Sequence, residues 1–202
     1  MADKGRARLS GTVRRRASAG EAGSGDDRAV TASNFPAALA FTLSQEGGFS
    51  DDAGDPGGAT MNGITLATYR WYNNNPDLQA GDLQAMPETE RNEIYREMFW
   101  GMVHADDLPP GIDLFTFDFA VNSGPGTAAK ALQAALGVTA DGAIGPITLA
   151  ACQAADASDV IGKLRQARLI WCEQLPGWAT FGRGWAARIQ ACATAALALV
   201  AA

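Results

Sequence analysis

Seven glycine or proline residues crowd the interval from Gly47 to Gly63, inside the segment FTLSQEGGFSDDAGDPGGATMNGIT at residues 41–65. DPGG and NG are turn signals, so neither a helix nor a long strand can run through this interval. The flanking pattern is helical. Phe35, Leu39 and Leu43 recur every four residues, with Ala38 and Thr42 beside them, which makes one apolar face. Ser33 or Asn34 can cap that helix, Pro36 suits its first turn, and Gly47 and Gly48 stop it. A short hairpin or irregular sheet fits residues 49–64, and Thr65 can cap a helix through Tyr72. The expectation is a mostly α fold with a small β-hairpin or loop region after the first helix.

The rest of the chain extends the helical pattern. NNNPD breaks it once. MPETERNEIYREMFWGMV then reads as one amphipathic helix, with Ile94, Tyr95, Met98, Phe99 and Met102 inward and Glu88, Glu90, Arg91 and Glu97 outward. IDLFTFDFAVNSG is a nearly all-apolar helix ending at Gly124. PGTAAKALQAALG is another, stopped by Gly137. DGAIGPITLAA is a turn followed by a helix opened by Pro146, and helices over 158–175 and 184–202 complete the set. Asp118 lies inside the apolar helix. A buried unpaired charge is costly, so it needs a partner.

Charge narrows the partners. Residues 1–33 hold seven Lys or Arg against four Asp or Glu, a net of +3, and the remainder holds nine against eighteen, a net of −9. The basic arm has almost no large apolar residue and is expected to be disordered. The acidic body excludes nucleic acid as the main partner. Cys152, Cys172 and Cys192 form no CxxC pair, so reduced, buried thiols are expected rather than a disulfide framework or a zinc site. His104 is the single histidine, with no nucleophile motif beside it. No secretory signal is visible, and the apolar run from Ala191 to Val200 is shorter than the roughly 20 residues of a membrane span.

The chemistry concentrates at Glu46. Helix C-terminal carbonyls and partial burial both favour the protonated form of a carboxyl group, as a general acid requires. Asp51, Asp52 and Asp55 follow on a polar loop and should stay ionised. Two carboxyl groups whose environments differ in this way form the acid and base pair of glycosidic cleavage. The structural alternative is a surface helix end followed by ordinary turn residues. Calcium fits poorly, because D-D-x-x-D lacks EF-hand spacing and its closing Glu.

EGGFSDDAGDPGGATMNGIT resembles the signature of the family 108 glycoside hydrolases, lysozyme-like N-acetylmuramidases of phage endolysins and bacterial secretion-activating proteins. The E-G-G-aromatic, D-P-G-G-x-T and G-I-T elements occur in order. IYREMFW is similar to the family's tyrosine–tryptophan helix. FDFAVNSG and ALQAALGVTADGAIGPIT are similar to its peptidoglycan-binding module, and FGRGWAARI to its ending. The resemblance spans about residues 34 to 190. It implies a lysozyme-like fold with a catalytic part at 34–110 and a helical peptidoglycan-binding part at 111–202. Glu46 would protonate the glycosidic oxygen. Asp55 would stabilise the oxocarbenium-like centre or orient water, and Thr60 would hydrogen-bond that water, with Asp51 and Asp52 as competitors for the second carboxylate. Phe49 stands where Tyr is common in the family.

Phe49, Trp71, Tyr72, Asn122, Asp141 and Gly142 are the candidate glycan contacts, although helically spaced aromatics such as Trp71, Tyr72 and Trp100 also suit a core, and Asp141–Gly142 suits a plain turn. Trp178, Trp185, Arg183 and Arg188 are expected to fasten the last helix. No cofactor or metal is implied. The implied substrate is peptidoglycan, reached from the cytoplasm through a holin or as part of a phage particle. A non-catalytic peptidoglycan-binding component and a lytic transglycosylase are the other readings.

Overall fold

The computed structural model describes residues 33–51 and 58–201. Helix α1, Phe35–Gln45, starts with proline in its first turn. Asn34 does not cap it. Its side-chain amide instead donates to the Asp113 carboxylate at 2.8 Å, tying the entry of α1 to a later helix. Helix α1 ends because Glu46 turns extended, with φ −91° and ψ 145°.

Strands β1, Thr60–Met61, and β2, Ile64–Thr65, pair antiparallel with Thr60 opposite Thr65. Asn62 and Gly63 both take positive φ, 46° and 87°, the signature of a type I′ hairpin turn and the reason for the NG pair. Ser50 exchanges both backbone hydrogen bonds with Thr60, at 2.8 and 2.7 Å, extending the sheet by one bridge. The Thr65 hydroxyl accepts from the Thr68 amide at 3.1 Å and caps α2, Leu66–Tyr72. Helix α3 is Ala80–Gln84.

The segment expected as one amphipathic helix is three pieces. Helix α4, Glu88–Tyr95, passes into a π turn at Arg96–Trp100 and a 3₁₀ turn at Gly101–Val103, and left-handed His104 ends it. The wide π turn rotates the register of the residues after it. Trp100 and Val103 therefore point inward and are fully buried, whereas Met102, expected inside, is 44% exposed. Trp100 meets Phe35 and Phe117 edge-on, at 5.4 and 5.5 Å between ring centroids. It is a core residue and not a sugar platform.

Helix α5, Ile112–Ser123, is buried from Ile112 through Ala120, as a helix apolar on all sides must be. It packs against α1 on one side and against α6, Pro125–Leu136, on another. Helix α7, Pro146–Ala154, follows a turn. Helix α8, Ala157–Glu173, is capped by the Asp156 carboxylate, and α9 is Trp178–Val200. Both pack on α5 and on each other. Helix α9 begins six residues before the expected start at 184, because Gly182 is tolerated inside it. The Trp178 ring lies on Gly182 so closely that a Cβ there would meet it at 2.6 Å.

The three cysteines are free and buried, as expected. No helix among the described residues is long and apolar enough to cross a membrane. The architecture is the mostly α, lysozyme-like one, with its two-stranded sheet directly after the first helix.

Candidate active site

Glu46 stands where α1 gives way to the turn-rich segment, and its side chain is 3% exposed. Its Oε1 accepts a 2.7 Å hydrogen bond from Nη1 of Arg188, which arrives from α9. Arg188 is shared. Its Nη2 donates to Asp118 Oδ1 at 2.7 Å and its Nε to Asp118 Oδ2 at 3.3 Å. Arg168 of α8 donates from Nη1 to Asp118 Oδ2 at 2.7 Å, and the Thr42 hydroxyl of α1 donates to Oδ1 at 3.0 Å. Among the described residues, two acidic side chains and two guanidiniums thus form one connected cluster beneath the helix end.

Burial alone would push the Asp118 carboxyl up. The two guanidiniums overcome this and hold it well below the usual carboxylate range. Burial likewise works against the Arg188 charge, but Asp118 and Glu46 override it and keep the guanidinium protonated. Arg168 is 0% exposed and lies over the Phe115 and Phe119 rings at 5.8 and 5.2 Å. Its Nε and Nη2 have no hydrogen-bond partner among the described residues; aromatic faces supply part of its environment.

The hairpin closes over Glu46 from the other side. A Cβ at Gly63 would meet Glu46 Oε2 at 3.0 Å and the Tyr95 hydroxyl at 3.1 Å. Tyr95 donates its hydroxyl to the Asn62 carbonyl and so pins the turn. Gly63 is therefore required twice, by its positive φ and by the approach of Glu46. Gly63→Ala is expected to cost about 1–2 kcal/mol in stability from the left-handed backbone alone. If Glu46 is catalytic, wall-clearing activity should also fall by about 10²-fold through displacement of its carboxyl. Urea denaturation and turbidity assays read the two effects, and a fully active alanine variant would mean that Glu46 tolerates movement.

The other candidate residues spread around this centre. Thr60 is half-buried in β1 with both backbone groups bonded to Ser50. Asp51 is exposed beside it. Asp52 and Asp55 lie outside the described residues. Phe49 is half-buried against the core. Trp71 is 54% exposed, unusual for tryptophan, with half-buried Tyr72 next to it. Asn122 is half-buried in the last turn of α5.

Asp141 and Gly142 form a turn between α6 and α7. Gln133 donates to Asp141 Oδ1 at 2.7 Å and accepts from the Gly142 amide at 2.8 Å. The Ala143 amide and Gln133 hold the Asp141 carboxyl below its ordinary range. These bonds give both residues a role inside the turn.

Arg168 and Arg188 are the site components that sequence reasoning missed in this role. A signal existed. Arg168 follows Ile161 and Leu164 and precedes Cys172, and Arg188 is followed by Ile189 and Cys192. Both sit on the inward stripes of their helices, where a charge needs a partner, and Asp118 needs one as well.

Residues 39–124 match the protein family described as Glycosyl hydrolase 108. No curated protein matches the chain. Among solved structures, the chain is similar to SagA of Brucella abortus, with 43% sequence identity over 82% of this chain and 95% of that one, and a TM-score of 0.76. The motifs, the fold and this likeness agree: the chain belongs to glycosyl hydrolase family 108.

Proposed function

We propose that the protein is an N-acetylmuramidase that hydrolyses the β-1,4 bond between N-acetylmuramic acid and N-acetylglucosamine in peptidoglycan. The observation that carries this reading is Glu46. In a glycosyl hydrolase chain, it is the carboxyl group placed at the end of α1, oriented by Arg188 and faced by the hairpin turn. Glu46 is the proton donor to the leaving oxygen. Asp55 is the second carboxylate and Thr60 the group that orients water. Trp71, the most exposed of the candidate aromatics, offers a stacking face, with Phe49, Tyr72 and Asn122 as further glycan contacts. Helices α5 to α9 serve as the peptidoglycan-binding part, with Asp141 and Gly142 shaping one of its turns.

Mass spectrometry of fragments released from purified cell wall tests the reaction. Saturated muramic acid at new reducing ends is the expected product. N-acetylglucosamine at those ends would overturn the bond assignment, and anhydro-muramic ends would make the protein a lytic transglycosylase. The near-complete burial of Glu46 favours one second reading, in which the ion pair is purely structural and the protein binds peptidoglycan without cleaving it. No released fragments from a folded, wall-binding protein would establish that reading instead.

A further inference from the structure

We propose that Asp118 is a positioning residue for Glu46, acting through Arg188, with Arg168 as its counter-charge; this rests on the reading of Glu46 as the acid. The geometry assigns the parts. Asp118 takes the Nε and Nη2 edge of Arg188, at 3.3 and 2.7 Å, and leaves Nη1 for Glu46. A fork held at two points cannot swing, so the direction of the third N–H is fixed. That N–H holds Oε1 and turns Oε2 toward Gly63 and the hairpin, where a Cβ would lie 3.0 Å away. Asp118 is fully buried, and its further partners include Thr42 and Arg168 from two other helices and the Cys192 thiol, so four helices set one carboxyl group.

The same cluster sets the charge that Glu46 experiences. Among the described residues, the titratable and charged groups of the cluster are Tyr95 from α4, which closes on Gly63 beside Glu46, Arg188 from α9, which bonds Glu46, and, around Arg188, Asp118 from α5, Arg168 and Cys172 from α8 and Cys192 from α9. Burial pushes both thiols up, so they stay neutral at working pH. Tyr95 spends its hydroxyl proton on Asn62. Among the described residues the charges are therefore Arg168 and Arg188 against Asp118 and Glu46. Removing either member of the Asp118–Arg188 pair shifts them in a known direction.

Asp118→Asn leaves two guanidiniums on one carboxylate. Glu46 should then lose its proton at lower pH, and the alkaline limb of kcat should move down by about 1 pH unit. Arg188→Gln removes a cation, and the limb should move up by a similar amount. Arg188→Lys keeps the charge without the fork. Its limb should stay near that of the parent while kcat falls, with KM little changed. Carbon-13 NMR of the Glu46 carboxyl follows the same titration without requiring turnover.

Opposite displacements for Asp118→Asn and Arg188→Gln are the expected result. Equal losses of kcat with an unmoved limb and an unmoved carboxyl titration would reduce the cluster to a structural brace and overturn the proposal. If one of these two variants does not fold, the direction of the other decides, because a brace moves neither. NMR displacements in the variants, together with a parent protein that releases no wall fragments, would refute the hydrolase reading while leaving the coupling intact.

Discussion

Glu46→Gln is expected to clear cell-wall suspensions about 10³-fold more slowly than the parent chain, the size of a lost general acid. The fall should lie in kcat, with KM little changed, because glutamine fills the same volume and its carbonyl can still accept the Arg188 N–H that now reaches Oε1 at 2.7 Å. What glutamine cannot do is deliver a proton to the departing sugar oxygen. The leaving group is then an unprotonated alkoxide, and the barrier rises by the whole acid contribution. The substitution removes an ionisable partner of Arg188, so a small loss of stability should accompany it. Thermal melts on the same samples separate the two effects. A variant that clears walls at the parent rate would remove Glu46 from the mechanism.

Arg168→Met should lower the unfolding free energy by about 3–5 kcal/mol, the range for removing one partner of a buried ion pair. Arg168 is 0% exposed and its 2.7 Å contact to Asp118 Oδ2 is replaced by nothing polar. Methionine keeps contact with Phe115 and Phe119. It also removes Nε and Nη2, which have no partner among the described residues. The loss should therefore fall toward the lower end of that range. Urea denaturation at neutral pH measures it.

The acid side of the stability curve provides a second readout of the same variant. Asp118 is held below its ordinary value in the folded protein. Its contribution is then fully present above the unfolded carboxylate value of about 3.9 and is lost as pH falls through the depressed folded value. With one of two guanidiniums gone, the folded value rises toward the unfolded one, so the acid loss should be smaller and complete at higher pH in Arg168→Met than in the parent.

Local physics made much of this structure legible in advance. The glycines after Glu46 and the four-residue spacing of Phe35, Leu39 and Leu43 bound α1. The NG pair marked the hairpin, since both residues need positive φ. Thr65 capped α2 as its hydroxyl allows. Asp118 announced itself as a buried charge in need of a partner.

The partners were harder to see. Arg188 lies 142 positions from Glu46 and 70 from Asp118, and Arg168 lies 50 from Asp118. No local rule connects positions so far apart; the packing of α8 and α9 on α5 does. The π turn at Arg96–Trp100 was hidden for a related reason. An ideal helical register predicts Met102 inside, and tertiary packing of Trp100 against Phe35 and Phe117 overrides that register.

Proton donation by Glu46 is tested most directly by changing the leaving group. A muramyl glycoside carrying a nitrophenolate leaving group needs little protonation, whereas the natural N-acetylglucosamine oxygen needs it fully. The account predicts that Glu46→Gln loses about 10³-fold on cell wall but far less on the activated glycoside. Equal losses on the two substrates would contradict it, because a residue that only shapes the site would slow both reactions alike.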